Sequence, residues 1–160
     1  MSYYKNTETG QIAWWNRSQG AGWIQISESE TEAYKLSLAK DEKIRALKRS
    51  LEDYLLQGAE YKGNTYKLTE DVLNNIERKK DLSPADPTRY VFCNKDHQRV
   101  DFGDEACWTK FTEHINDEQN RVMLKYNDYR VEIDAIVISD QMTYIQAMSV
   151  LNSITFDFSN

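Results

Sequence analysis

Four side chains have the right softness to hold a transition metal: Cys93, His97, Cys107 and His114, arranged as C-x3-H and C-x6-H. Thiolate sulfur with imidazole nitrogen is the donor set zinc prefers. Neither spacing is the short knuckle or the i,i+4 helical pair that aims two ligands at one point. The competing reading places Cys93 on a strand face and Cys107 beside Trp108 as a small apolar residue, with no metal bound. Nucleophilic catalysis fares no better. No serine sits in a G-x-S-x-G elbow, and both histidines lie in ordinary polar sequence. Gly20-Ala21-Gly22 lacks the lysine of a phosphate loop. Asp101, Asp104 and Glu105 read as negative charge at a helix start. The sequence therefore predicts no catalytic residue, no cofactor and a protein that is not an enzyme.

Binding through surface is the chemistry left. Trp14, Trp15 and Trp23 fall in one short stretch, too short to bury three indoles within itself, and tryptophan is enriched at binding hot spots. They are the candidate partner-binding residues, with packing on the following helix as the alternative. Alternation puts Ile12 and Trp14 on one parity and Ala13 and Trp15 on the other, while Trp23 and Gln25 alternate with Ile24 and Ile26.

Charge narrows the partner. The net charge is −6, and the whole imbalance lies in residues 82–160, which hold 13 acidic and 7 basic side chains against 13 of each in residues 1–81. An acidic chain without a basic block lacks the footprint that supplies most nucleic-acid affinity. Nucleic acid is not the expected partner. No apolar run reaches the ~18 residues of a membrane span, and the start MSYYKNTETG has no apolar signal core, so no membrane is expected and the cytosol is the expected compartment. Two cysteines in such a chain make no disulfide framework.

The elements that position these residues follow from periodicity and punctuation. Residues 1–27 read as a small β element of short aromatic runs split by turn residues. Ser27 with Glu30 forms a capping box. Residues 28–58 then form a connecting helix with a possible break near Lys40, whose stripe of Ile44, Leu47, Leu51, Tyr54 and Leu55 suits a packed helix or self-association equally; Gly58 marks its end.

Residues 59–160 read as an α+β domain. EYKGNTYKL is a hairpin turning at Gly63-Asn64, whose alternating rings and lysines could otherwise pass for a nucleic-acid platform. Thr69 caps a helix running to Lys80, with Val72, Leu73 and Ile76 turned inward. DLSPADPT is a loop, and RYVFC and RVDF form a second hairpin. Trp108, Ile115, Val122, Tyr129 and Ile136 repeat every seven residues, predicting one helix over about 104–136 unless the polar run NDEQNR breaks it. Ser139 is read as the cap of a last helix that buries Met142, Ile145, Met148 or Ser149, and Leu151 to Ile154, and TFDFSN either adds a strand or frays.

The order of these phrases, EYKGNTYKLTEDVLNNI, then RYVFCNKDHQRVDFGDEACWTKF, then YRVEIDAIVISDQMTYIQAM, resembles a phage domain of unknown function. That domain lies at the C-terminal end of many tail-fibre assembly proteins. The matching positions are Gly63, Tyr66, Ile76, Asp96, His97, Val100, Arg130, Ile133, Asp134 and Ala135. GWIQISESE likewise resembles the phrase that leads from the opening sheet of such proteins into their connecting helix. Phe92 stands where the family has tryptophan, and Gly103 where it has a threonine cap. The resemblance implies a non-enzymatic chaperone in the host cytoplasm that binds the tail-fibre protein, shields its apolar surface and aids its trimerisation. The alternative is a structural virion component, a baseplate or fibre connector.

Overall fold

Tyr3 and Tyr4 stand at the centre of the first sheet. In the computed structural model, which describes residues 2–15 and 21–159, β1 (Ser2–Asn6) lies between β2 (Ile12–Trp15) and β3 (Trp23–Gln25), antiparallel to both. Gly20 falls outside the described residues. Ser27 opens α1 (Glu28–Gln57) by the expected box: its Oγ accepts from the Glu30 N–H at 3.2 Å, and Glu30 accepts from the Ser27 N–H at 2.9 Å. The helix is unbroken at Lys40. The protein is α+β, with three small sheets and four helices among the described residues.

The chain divides into two compact units, and the division falls within the long helices. Unit 1 comprises residues 1–44 and 133–155; unit 2 comprises 45–132 and 156–160. In unit 1 the sheet lays Tyr3 edge-on against Tyr34 of α1, ring centroids 5.7 Å apart, with the Lys35 ammonium over the Tyr3 ring. Ile26, Leu36, Ile136, Ala147, Leu151 and Ile154 are buried. The last helix, α4, spans Tyr144–Ser153.

Its cap is Thr143, four residues later than Ser139. Thr143 accepts from the Gln146 N–H while Gln146 accepts from the Thr143 N–H, a complete capping box. Ser139 instead bonds across a tight turn to Met142. That shift rotates the inner face: Ala147, Leu151 and Ile154 are buried at steps of four and three, and Ile145 is 78% exposed, contrary to the expected face.

Unit 2 is built around rings. α1 ends at Gly58, whose left-handed backbone (φ +83°) no side chain could share, because a Cβ there would run into the Tyr66 carbonyl. The chain then forms the hairpin of β4 (Ala59–Tyr61) and β5 (Asn64–Tyr66). Its turn lies one residue earlier than expected: Lys62 and Gly63 carry the positive φ angles, and Asn64 pairs with Tyr61 in the ladder. α2 (Glu70–Lys80) follows Thr69, which occupies the cap position without a side-chain capping bond.

The second hairpin joins β6 (Val91–Cys93) to β7 (Arg99–Asp101), and α3 runs unbroken over Glu105–Ala135 through the polar NDEQNR segment. Tyr66, Leu68, Ile76, Phe92, Trp108, Phe111 and Ile115 form the buried cluster. Phe111 is its hub, stacked on Phe102 at 4.4 Å and tilted against Tyr66 at 4.7 Å and Trp108 at 5.4 Å. Offset and tilted ring pairs of this kind add to simple area burial.

Two features tie unit 2 together. Asn94 is buried and bonds in three directions: Nδ2 donates to Asn64 Oδ1 at 2.9 Å, and Oδ1 accepts from the N–H groups of Asp96 and Gln98. With Lys95 N–H donating to Thr65 O at 2.7 Å, it joins the two hairpins. At the other end, residues 156–158 form an extended strap, neither strand nor frayed end. Phe158 is buried between Tyr54 and Tyr129, and its carbonyl accepts from Arg121 at 2.6 Å. Arg121 also pairs with Glu118 at 2.6 Å, and Tyr54 donates to that carboxylate at 2.9 Å.

Candidate functional site

The sheet of unit 1 carries the three tryptophans, and its register decides which of them act together. Tyr3 pairs with Trp14, Lys5 with Ile12 and Ile24, and Ile26 N–H donates to Tyr3 O. Those residues share the face on which Tyr3 meets α1. Ser2 pairs with Trp15, Tyr4 with Ala13 and Gln25, and Asn6 with Trp23, so Trp15 and Trp23 lie on the opposite face. Trp14 is on the helix side yet 53% exposed, Trp15 is 42% exposed, and Trp23 is half-buried. Ile24, at the other edge, is 55% exposed.

β2 is an edge strand, since the order is β2-β1-β3 and no other described strand pairs with its outer side. A strand edge offers unpaired backbone N–H and C=O groups as a template for another chain. Here the edge is also lined on both faces: Trp14 projects to one side and Trp15 to the other. A partner strand added at this edge would be covered by an indole above and an indole below. The arrangement can bind an added strand.

The structure does not bring Cys93, His97, Cys107 and His114 together. No group of three or more His, Cys, Asp or Glu side chains converges as a metal site among the described residues. Cys93 is exposed on β6, and His97 sits in the turn of the same hairpin with a left-handed backbone (φ 62°). Cys107 lies in the first turn of α3, where its N–H donates to Asp104. His114 bonds through Nε2 to the Glu60 carbonyl at 2.9 Å and packs on the Tyr61 ring.

The perturbed ionisations are explained by structure. The hydrogen bonds from Arg121, then Tyr54, hold the Glu118 carboxyl below its ordinary value against the opposing pull of burial. Bonds from Ser27 do the same for Glu30, bonds from Thr88 for Asp86, and those at the start of α3 for Asp104. Burial pushes the Tyr54 and Tyr66 phenols up. Of these groups Tyr54 and Glu118 are bonded to each other at 2.9 Å, and Arg121 bonds to both. No helix among the described residues is long and apolar enough to cross a membrane.

Sequence reasoning missed two things. One is Asn94, which shows no periodic signal because its work is done by side-chain hydrogen bonds to Asn64 and to the backbone of its own turn. The other is a cleft in unit 2 whose cations come from segments over thirty residues apart. Taken as a class, the chain is an α+β protein with an aromatic, edge-exposed sheet. Comparison with family models, with curated proteins and with solved structures gave no match.

Proposed function

We propose that this protein is a non-enzymatic phage tail-fibre assembly chaperone. It binds the fibre protein in the host cytoplasm, shields a segment that would otherwise aggregate, and aids trimerisation. The observation that carries the reading is the open edge of β2 with Trp14 and Trp15 exposed on its two faces. Addition of a strand at such an edge gives affinity through main-chain hydrogen bonds and specificity through the flanking side chains. A fibre chain awaiting its two partners has unpaired strand edges of this kind. The likeness of GWIQISESE and of the EYKGNTYKL to YIQAM series to tail-fibre assembly proteins supplies the biological setting.

Co-expression with the neighbouring fibre gene tests the proposal. Soluble, trimeric fibre should rise with this protein present and fall again with Trp14→Ala or Trp15→Ala, both of which should leave the protein folded. Equal yield of trimer without the protein would refute the chaperone role. A second reading, a structural connector retained in the particle, is favoured by the exposed pair Leu124 and Val131, seven residues apart on the 31-residue α3, a spacing suited to self-association or docking. Mass spectrometry of purified particles separates the two: stoichiometric recovery supports the connector, absence the transient chaperone.

A further inference from the structure

Although the chain carries a net charge of −6, one cleft in unit 2 is basic. It has a volume of about 740 Å³ and lies between α2 and the β6–β7 hairpin. Lys67, Arg78, Lys79, Lys95 and Arg99 line it, with Asp71 the only carboxylate among its lining residues. Behind these charges the wall is apolar, formed by Val72, Leu82, Val91 and Phe92. Lys79 donates to the Thr88 carbonyl and Lys95 to the Gln57 carbonyl, both neutral acceptors. None of the five cations has a carboxylate within 4 Å among the described residues. Folding has thus gathered five like charges from distant segments into one concavity, offset only in part by Asp71 in its lining and by Asp86 in the field of Lys79, a focusing arrangement for an anionic partner.

We propose that this cleft binds an acidic, extended segment of polypeptide. The distribution of the cations selects that occupant over a small phosphate compound. Lys67 precedes α2 and Arg78 lies in its last turn; nine residues at about 1.5 Å each separate Thr69 from Arg78, a length of roughly 13 Å. About four extended residues span that distance at ~3.3 Å apiece. A single phosphate is instead recognised by donors converging on one point, commonly successive backbone N–H groups. Carboxylates on a strand-like segment would meet the lysines and arginines in turn, and the apolar residues between them would rest on Val72 and Phe92. The inference does not rest on the fibre reading, which concerns the edge of β2.

The test uses the whole chain and a fluorescein-labelled octapeptide of alternating Glu and Val, read by anisotropy at about 50 mM salt, where exposed charges are weakly screened. Saturable binding is expected with a Kd below about 100 μM. The double variant Arg78→Gln/Lys95→Gln should bind at least about ten-fold more weakly, and Lys48→Gln, outside the cleft, should bind like the parent. Bound peptide should also slow iodoacetamide alkylation of Cys93, which lies in the cleft, and leave Cys107 unaffected. Both substituted residues are exposed, so folding should survive; if circular dichroism shows otherwise, Lys67→Gln/Arg99→Gln carries the same ten-fold expectation. Three results would overturn the proposal: no binding at about 1 mM, equal binding of a Gln/Val peptide, or displacement by equimolar ATP, which would assign the cleft to a phosphate compound.

Discussion

Replacing Tyr66 by Phe should stabilise the protein. Tyr66 is 1% exposed and its hydroxyl has no hydrogen-bond partner among the described residues. A buried hydroxyl without a partner costs about 1–3 kcal/mol, the desolvation it never recovers. Phe keeps the ring, and with it the contacts to Phe111 at 4.7 Å and to Phe102 and Phe92 beyond 6 Å. The loss is the volume of one oxygen, which at about 24 cal/mol per Å³ of cavity amounts to a few tenths of a kcal/mol. The net gain is about 1–2 kcal/mol, which for a chain of this size raises Tm by roughly 2–8 °C. Urea unfolding should show a higher midpoint with an unchanged slope.

Alkaline titration gives an independent check. Burial pushes the Tyr66 phenol above its ordinary 10.0, with the nearby Tyr61 adding to the shift. A group whose folded pKa is raised contributes fully below its unfolded value and loses that contribution as pH rises past it. The advantage of Phe should therefore widen above pH 10. A variant less stable than the parent by about 0.5 kcal/mol or more would mean the hydroxyl is well bonded, and would refute the reasoning.

Gly58→Ala should cost at least about 3 kcal/mol or prevent folding, since it adds left-handed strain of about 1–2 kcal/mol to a collision with the Tyr66 backbone; urea midpoints or soluble yield will report it. Glu118→Gln should destabilise near neutral pH by about 1 kcal/mol, because the Arg121 pair is partly shielded from water. As the folded Glu118 pKa lies below the ordinary 4.5, that difference should be present above pH 4.5 and vanish as pH falls through the folded value, which stability curves at several pH values can follow. Thr143→Ala should cost about 1 kcal/mol through the lost cap of α4, seen in thermal melts, whereas Ser139→Ala should change little.

How far the sequence could be read depended on whether the deciding interaction was local. Ser27 and Glu30 announce the start of α1 because both halves of the box lie within one turn, and the sevenfold repeat from Trp108 to Ile136 runs straight through NDEQNR because apolar anchors on either side outweigh six polar residues. Where two local solutions compete, tertiary contacts chose. Gly63-Asn64 and Lys62-Gly63 each contain the glycine a tight turn needs, but Asn64 must stay in the strand to meet Asn94, thirty residues away. Between Ser139 and Thr143 the choice was local, since both are residue types that cap and only Thr143 has Gln three positions on. At the candidate site, alternation alone separated Trp14 from Trp15. Placing Trp23 on the same face as Trp15 required the register through β1. The basic cleft was illegible because its lysines and arginines are scattered from 67 to 99 among acids of which only Asp71 joins them in its lining.

The strap at residues 156–158 has a consequence for the order in which the molecule can be made. Unit 2 begins at Arg45, but its aromatic seat between Tyr54 and Tyr129 is filled by Phe158, which leaves the ribosome only after all of α3 and α4. Synthesis therefore delivers unit 1 complete through Thr155 while unit 2 still lacks a piece of its interior. Released chains truncated after residue 155 should be cut by protease within 45–132, and chains that include residue 159 should resist. The interior of unit 2 therefore closes only when a residue more than one hundred positions beyond Tyr54 has been made.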